Sequence, residues 1–198
     1  MIRQFGRIDS IGHNGTVQNP TIRQDESLIV SATADQTLIV WDANSGKAIA
    51  KLEGHSGTVT DCAFNADSSI LVSASSDGAV FVWDVASARP IYKYYGHEES
   101  VTSCAINNSG DLVLSGSVDG MLHKWHSKDG VLVQKTQADD GRITCCKIAS
   151  NEVLAISSAE DGDLFIWEWI NEGRKKWLHG HQAAITACAI SPSSKRAV

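Results

Sequence analysis

Short apolar runs separated by turn signals dominate the chain. The runs at residues 38–41 (LIVW), 80–83 (VFVW) and 164–167 (LFIW) are rich in Val, Ile and aromatic side chains and lack an alternating polar position. A strand with one wet face alternates apolar and polar residues, so these strands are expected to be covered on both faces. Long stretches with a helical period of 3.6 residues are absent. The pattern predicts an all-β fold.

The strands recur with a period of 42 residues. A serine, an aspartate and a tryptophan mark each unit, at Ser31, Ser73, Ser115 and Ser157, at Asp35, Asp77, Asp119 and Asp161, and at Trp41, Trp83, Trp125 and Trp167. Gly-His pairs precede them at His13, His55 and His97, and Asp139 takes the place of the histidine in the fourth unit. A repeat of this length, with no insertion or deletion, indicates stacked structural units.

Each unit is predicted to hold four short antiparallel strands. In the second unit they cover residues 58–64, 70–75, 79–83 and 90–95, and Asp77-Gly78 provides a hairpin turn between the second and third strands. The third strand is apolar on both faces, so its sheet is expected to pack between two similar sheets. Radially stacked sheets of four strands meet this requirement and form a β-propeller.

The order Gly-His, Ser-x-x-x-Asp and Trp-Asp, repeated along residues 12–190, resembles the WD-repeat (β-transducin-like) propeller family. The resemblance implies four complete blades at residues 12–53, 54–95, 96–137 and 138–179, and part of a fifth blade at 180–198. It also implies that residues 1–11 form the outer strand of a closing blade. The expected fold is therefore an incomplete β-propeller of four-stranded antiparallel blades.

Units three and four depart from the family pattern. His126 and Glu168 stand where an aspartate usually follows the tryptophan, and Lys124 replaces an apolar residue, so we expect its ammonium group to reach water. Propellers of this family usually have seven blades. The shorter array predicts a fragment, a truncated product or one part of an assembly, whose open blade edges favour self-association.

Composition and charge narrow the choice of partner. The formal net charge is -6, with both signs mixed along the chain, which argues against binding to nucleic acid or to an anionic membrane. The sequence shows no signal peptide and no apolar run long enough for a membrane span. Five cysteines without a C-x-x-C motif favour a reducing intracellular compartment, the cytoplasm or the nucleus. Other proteins or peptides are the expected partners.

The Ser, His and Asp residues of each unit are the residue types of a catalytic triad. A triad occurs once in an enzyme, whereas this set recurs in register, and no G-x-S-x-G nucleophile motif occurs. The resemblance implies instead a structural hydrogen-bonded tetrad in each blade. Its members are His13, Ser31, Asp35 and Trp41, then His55, Ser73, Asp77 and Trp83, then His97, Ser115, Asp119 and Trp125, and finally Ser157, Asp161 and Trp167. No catalytic residue is predicted.

Four of the five cysteines share one position of the first strand, namely Cys62, Cys104, Cys146 and Cys188. Equivalent positions on stacked sheets are about 10 Å apart, too far for a disulfide, so these cysteines are expected to fill a core position. Cys145 lies outside this register and is expected to point to the opposite face, toward the central channel. A redox role is not favoured.

The sequence gives little support for a metal site or a cofactor site. The pairs His123/His126 and His179/His181 lack further convergent ligands for zinc, and the acidic stretches 139–142 and 160–163 do not have the spacing of a calcium loop. No phosphate-binding glycine motif occurs. We therefore predict neither a metal nor a cofactor.

Partners of this family often dock on the face formed by the loops between blades and between the second and third strands. The positions expected on that face are small and mostly uncharged in blades two and three, at Thr58, Ser76, Thr102 and Val118. Blade four is the charged sector and the preferred contact, with Asp139, Asp140, Arg142 and Glu160. The sequence thus predicts a protein-binding scaffold without chemistry of its own. The alternatives are a regulatory or C-terminal sensor domain of a larger multidomain signalling protein and, less favoured, a propeller hydrolase.

Overall fold

The structure is a computed structural model, which describes residues 12–23, 25–168 and 173–191. In the last of these segments it describes the side chains only from residue 176 onward. These residues form sixteen β-strands and no helix. Accordingly, none of them belongs to a helix that could cross a membrane. The predicted closing strand at residues 1–11 and residues 192–198 of the predicted fifth unit lie outside the described residues.

The strands form four antiparallel sheets of four strands each, which follow one another along the chain and confirm the predicted all-β blades. Blade one contains β1 (Val17–Ile22), β2 (Leu28–Thr33), β3 (Leu38–Asp42) and β4 (Ala48–Leu52). Blade two contains β5 (Val59–Phe64), β6 (Ile70–Ser75), β7 (Val80–Asp84) and β8 (Arg89–Tyr94). Blade three contains β9 (Val101–Ile106), β10 (Leu112–Ser117), β11 (Met121–His126) and β12 (Leu132–Gln137). Blade four contains β13 (Ile143–Ile148), β14 (Leu154–Ala159), β15 (Leu164–Glu168) and β16 (Gly173–Leu178).

The hairpin turn of blade two forms as the Asp77-Gly78 pair predicts. The amide of Gly78 donates to Ser75 O at 3.2 Å, and the amide of Ser75 donates to Ala79 O at 3.1 Å. Gly78 has a φ of 81°, in the left-handed region that glycine enters without a steric penalty from Cβ. Asp77 also accepts the amide of Ala79 at 3.0 Å, so the turn is held by its own side chain.

The core lies between the blades. Phe81 and Val82 are neighbours on β7 and point to opposite sides, Phe81 into the cluster between blades one and two and Val82 into the cluster between blades two and three. Both side chains are almost fully buried. The absence of alternation in the apolar runs therefore reflects two covered faces, because each sheet packs between two others.

Polar contacts also join the inner strands of successive blades. Asp61 on β5 accepts the hydroxyl of Ser103 at 2.7 Å and the amide of Cys104 at 3.1 Å, both on β9. Ser103 in turn accepts the amide of Cys146 on β13 at 3.0 Å. Lys147 places its ammonium 3.7 Å from the carboxylate of Asp61. Three blades are thereby linked through one buried carboxylate, which fixes their relative position.

The expectation that Cys188 only fills a core position, without a disulfide, is wrong. Cys188 pairs with Cys145 in a disulfide, with a Cα–Cα distance of 6.0 Å, whereas Cys62, Cys104 and Cys146 are free and buried. Cys145 follows an irregularity in the pairing of β13, and its side chain points toward the fifth unit, opposite to Cys146. Since disulfides are typical of oxidising compartments, the pair does not support the reducing compartment that the cysteine count favours.

The side chain of Lys124 is covered to a greater extent than an ammonium extending toward water would suggest. Lys124 is only 8% exposed, because it points from blade three toward blade four and is covered by that sheet. It lines a small cavity between the two blades together with Leu114, Leu122, Trp167 and Glu168.

Candidate functional site

Blade two contains a complete tetrad. His55 Nδ1 lies 3.1 Å from Asp77 Oδ2, and His55 Nε2 lies 2.9 Å from Ser73 Oγ. Because a carboxylate only accepts, Nδ1 carries the proton and Nε2 accepts from the serine hydroxyl. Trp83 Nε1 donates to the same serine at 2.8 Å, and Asp77 also accepts the amide of Ser56 at 2.8 Å. The tetrad thus joins the loop before blade two to its second and third strands.

This geometry leaves no room for hydrolysis at Ser73. The serine is fully buried, its oxygen already accepts the indole N–H, and His55 is covered by the ring of Phe81, 4.0 Å from centroid to centroid. Burial raises the pKa of Asp77, but hydrogen bonds from His55 and two backbone amides outweigh it and hold the pKa well below its usual value. Asp77 is therefore ionised at neutral pH and holds the imidazole in place.

Blade one repeats the arrangement near the surface. His13 Nε2 lies 2.5 Å from Ser31 Oγ and Nδ1 lies 3.3 Å from Asp35, and Trp41 donates to Ser31 at 2.7 Å. Two threonine hydroxyls also donate to the carboxylate of Asp35. Burial raises the pKa of Asp35, but these hydrogen bonds outweigh it and the pKa lies well below its usual value.

Blade three does not form the predicted contact between His97 and Asp119. His97 Nε2 lies 2.7 Å from Ser115 Oγ, but its Nδ1 is buried without a partner. Asp119 instead accepts the amide of Met121 within its own turn, at 2.9 Å. His123 occupies the position that Phe81 has in blade two, and its ring stacks on His97 with 3.8 Å between centroids. Blade three therefore keeps the ring stacking of blade two but lacks its hydrogen bond between the histidine and the turn aspartate.

The two stacked imidazoles of blade three are held neutral. Burial, together with the neighbouring ring of His123, lowers the pKa of His97 to about 3. Burial and the charge of Lys135 lower the pKa of His123 to about 4. Tyr94 Oη lies 3.0 Å from His123 Nδ1, and the Tyr94 ring stacks on Trp125 at 4.4 Å.

Blade four has an acidic cluster in place of the histidine. The indole of Trp167 still donates to Ser157 at 2.8 Å. The carboxylate oxygens of Asp139, Asp161 and Asp163 lie within 4.8 Å of one another, and such a set can hold a cation. Burial, then the charges of the other two carboxylates, raises the pKa of Asp139, although the amide of Gly141 donates to it at 2.6 Å.

The sequence reasoning missed this cluster, although the repeat contains the signal for it. His55 contacts Asp77 in blade two, and the residues at the same positions of blade four are Asp139 and Asp161. An aspartate at both positions therefore brings two carboxylates together. Asp163 joins them from the position immediately before β15 and is 4% exposed. His179 Nδ1 lies 2.5 Å from Asp163 Oδ1 at the edge of the cluster.

The predicted contact residues differ in exposure. Thr58 and Asp139 are half-buried, and the exposed residues are Ser76, Val118, Asp140, Arg142 and Glu160. Thr102 was expected to project from the loop face, but it does not. It is 7% exposed, and its hydroxyl is 2.9 Å from Gly116 O and 2.6 Å from Ile143 O. Thr102 thus connects blades three and four.

Comparison with protein families agrees with this architecture. The family model described as WD domain, G-beta repeat (WD40), matches residues 7–42, 46–84, 88–126 and 130–168. No curated protein sequence matches the chain significantly. WD40 repeats generally mediate protein–protein interactions, and propellers of this family are typically non-enzymatic. Each matched segment contains the first three strands of one blade, and the second to fourth segments begin with the outer strand of the preceding blade. Because the four segments cover most of the sequence, the chain belongs to the WD40 repeat family.

Proposed function

We propose that the chain is a non-enzymatic scaffold that binds another protein through the loop face of blade four. The observation that carries this proposal is the group of exposed charges at Asp140, Arg142 and Glu160. The corresponding residues of blade two, Thr58 and Ser76, are small and uncharged. The loop before blade three also carries exposed charges, at Glu98 and Glu99, but both are negative. Blade four combines an exposed arginine with exposed carboxylates on its loop face, and charges of both signs favour selective, oriented association with a partner of complementary charge.

The loops of this sector are held rigidly. The amide of Glu160 donates to Arg142 O at 2.9 Å, which ties the loop before β13 to the loop after β14. The corresponding bond in blade two runs from Ser76 N to Thr58 O at 2.9 Å. Because the loop backbones are already ordered, a partner loses little free energy in ordering them on binding.

The burial of the serines supports a function without catalysis. Ser73, Ser115 and Ser157 are fully buried, and each accepts the indole N–H of its tryptophan. A nucleophilic serine needs space for the substrate carbonyl and an oxyanion site beside its oxygen. A sensor domain within a larger protein would use the same exposed face, so it is a special case of the proposal.

The test places a photoreactive amino acid at position 140 in cells and identifies what it crosslinks. We expect one discrete protein, and we expect the charge exchange Arg142→Glu with Glu160→Lys to abolish the crosslink. The matched control is Lys128→Glu with Asp129→Lys, which also leaves the net charge unchanged but lies in the turn between β11 and β12. A crosslink that survives the blade-four exchange, or that also forms from position 129, contradicts the proposal.

A further inference from the structure

Blade four contains a pocket where the other blades hold an imidazole ring. Asp139 replaces the histidine and lines a pocket with about 570 Å³ of empty space, including the part open to solvent. The pocket is lined by four aspartates, two aromatic rings, a glutamine and an alanine, namely Asp139, Asp140, Asp161, Asp163, Phe165, Trp177, Gln137 and Ala138. Its lining therefore combines carboxylates with aromatic rings.

Blade two shows what the same positions bind when they are filled. Phe81, the counterpart of Phe165, stacks on the imidazole of His55 at 4.0 Å with an interplanar angle of 18°. The ammonium of Lys93, the counterpart of Trp177, lies 4.6 Å from the centroid of the Phe81 ring. A planar ring and a cation thus both contact this aromatic side chain in blade two. The pocket of blade four keeps the phenyl ring and has no imidazole of its own at position 139.

The charge of the pocket favours a cation. Asp139, Asp161 and Asp163 are close enough for their negative charges to repel one another. Among the described residues, the basic side chain in contact with the cluster is that of His179, which meets Asp163 and is 72% exposed. That imidazole also meets Trp177 edge-on, with 5.9 Å between centroids. An imidazole therefore already lies at the rim of the pocket, and neither Asp139 nor Asp161 forms an ion pair with another residue that the structure describes.

We propose that this pocket receives the guanidinium group of an arginine from the bound partner, an inference that rests on the proposed function. A guanidinium is planar and delocalised, stacks on aromatic faces, and donates two parallel hydrogen bonds to a carboxylate. It matches the pocket, since the indole of Trp177, which stacks on Phe165 with 6.1 Å between centroids, offers an exposed aromatic ring, and Asp139 and Asp161 offer acceptors. An ammonium matches the charge of the pocket and lacks the planar shape. Trp177 is 56% exposed, so the pocket can be reached from solvent.

The test uses a capped pentapeptide with one central arginine between glycines, and matched peptides with citrulline or lysine at the centre. Binding is followed by the indole N–H signal of Trp177 in ¹⁵N-labelled protein without added metal, with assignment from Trp177→Phe. We expect the arginine peptide to shift this signal with at least tenfold higher affinity than the citrulline peptide and to bind more tightly than the lysine peptide. Added salt should weaken the binding.

Two variants locate the binding. Asp139→His restores the histidine of the other blades, fills the pocket and should abolish binding of the arginine peptide. Asp163→Asn removes one charge without filling the pocket and should weaken binding severalfold, which keeps the test informative if the histidine variant does not fold. Asp129→Asn, an exposed acidic residue in a distant turn, should leave binding unchanged.

Several outcomes overturn the inference. Equal shifts with arginine and citrulline, equal affinity for arginine and lysine, or undiminished binding to Asp139→His would each contradict a guanidinium site. Calcium chloride that shifts the Trp177 signal when the arginine peptide does not would identify a metal site instead. If the Arg142/Glu160 exchange abolishes the crosslink but the peptide does not bind, the pocket inference fails and the proposed function stands. If the peptide binds and the crosslink persists, the proposed interaction surface fails.

Discussion

Blade two and blade four follow the same register but differ at one side chain of the tetrad. In blade two, His55 accepts from Ser73 and donates to Asp77, so every polar group of the set has a partner. In blade four, Asp139 can make neither contact, because its side chain is short and it accepts hydrogen bonds only. The comparison shows that the histidine has two tasks, to bridge the strands and to give the turn aspartate a donor.

Blades two and four also differ in how completely their tryptophans are buried. Trp83 is 1% exposed and belongs to the core between blades one and two. Trp167 is half-buried and packs at the margin of the cluster between blades three and four. Blade two is thus expected to contribute more to stability than blade four, and blade four more to binding. Four predictions follow in order of decreasing effect, three of which test this division and one of which concerns blade three.

Trp83→Ala should be the most damaging single change. It removes a fully buried indole and leaves Ser73 without its donor, and we expect a loss of about 3–5 kcal/mol in the free energy of unfolding. Trp167→Ala should cost at least about 1 kcal/mol less, because its indole is only half-buried before the change. Urea unfolding of both variants measures the difference. Equal losses would show that the two blades are equally packed.

Asp77→Ala should lower stability by about 1–3 kcal/mol, because it leaves the buried Nδ1 of His55 and two amides without their acceptor. Asp161→Ala removes the counterpart in blade four. Within the part of the chain that the structure describes, its carboxylate accepts the amide of Asp163 at 3.1 Å and is repelled by its acidic neighbours, so the cost should be small. Thermal melting of the two variants compares them directly. A melting temperature of Asp77→Ala equal to that of the unmodified chain would contradict the structural role of the tetrad.

Much of the comparison could be predicted from the sequence. The strand predicted at residues 70–75 is β6 (Ile70–Ser75), and the third strand predicted at 79–83 is β7 (Val80–Asp84). These predictions succeed because the apolar periodicity, the Asp-Gly turn and the repeat all indicate the same boundaries. Contacts within one repeat unit depend on short spacings, and short spacings are visible in a single sequence.

Features that depend on two blades were harder to predict. The burial of Lys124 requires the next sheet to lie over it, and the pairing of Cys145 with Cys188 depends on an irregularity in β13 that no residue type announces. The carboxylate of Asp119 accepts the amide of Met121 in its own turn, although the family motif pairs this carboxylate with His97. Side-chain orientation and pairing irregularities are set by packing, which residue spacing does not specify.

Lowering the pH should reduce the folding stability that blade three contributes. His123 is neutral in the folded state, since its pKa is lowered from 6.5 to about 4. Below pH 6.5 the unfolded chain takes up a proton that the folded chain does not, so stability is lost as the pH falls from 6.5 toward 4. We expect this ring to cost on the order of 1–2 kcal/mol between pH 7 and pH 5.

His123→Phe gives blade three the phenyl ring that blade two has at Phe81. The variant should show a shallower decrease of the unfolding free energy between pH 7 and pH 5, because one of the two suppressed protonations is gone. His126→Phe, at an exposed position of the same strand, serves as the control and should leave the slope unchanged. Parallel pH profiles for His123→Phe and the unmodified chain would rule out His123 as the source.

Asp139→His should give the smallest effect and the sharpest test of the comparison, because it gives blade four the residue on which the two blades differ. The new imidazole can bond Ser157 and Asp161, as His55 bonds Ser73 and Asp77, and one repelling carboxylate disappears. We expect the free energy of unfolding to rise by about 0.5–1 kcal/mol at pH 7. Asp140→His, at the exposed neighbouring position, should change it little. A decrease with Asp139→His would mean that blade four is built around its acidic cluster. An increase would mean that the aspartate is kept at a cost in stability, as expected for a residue that serves binding.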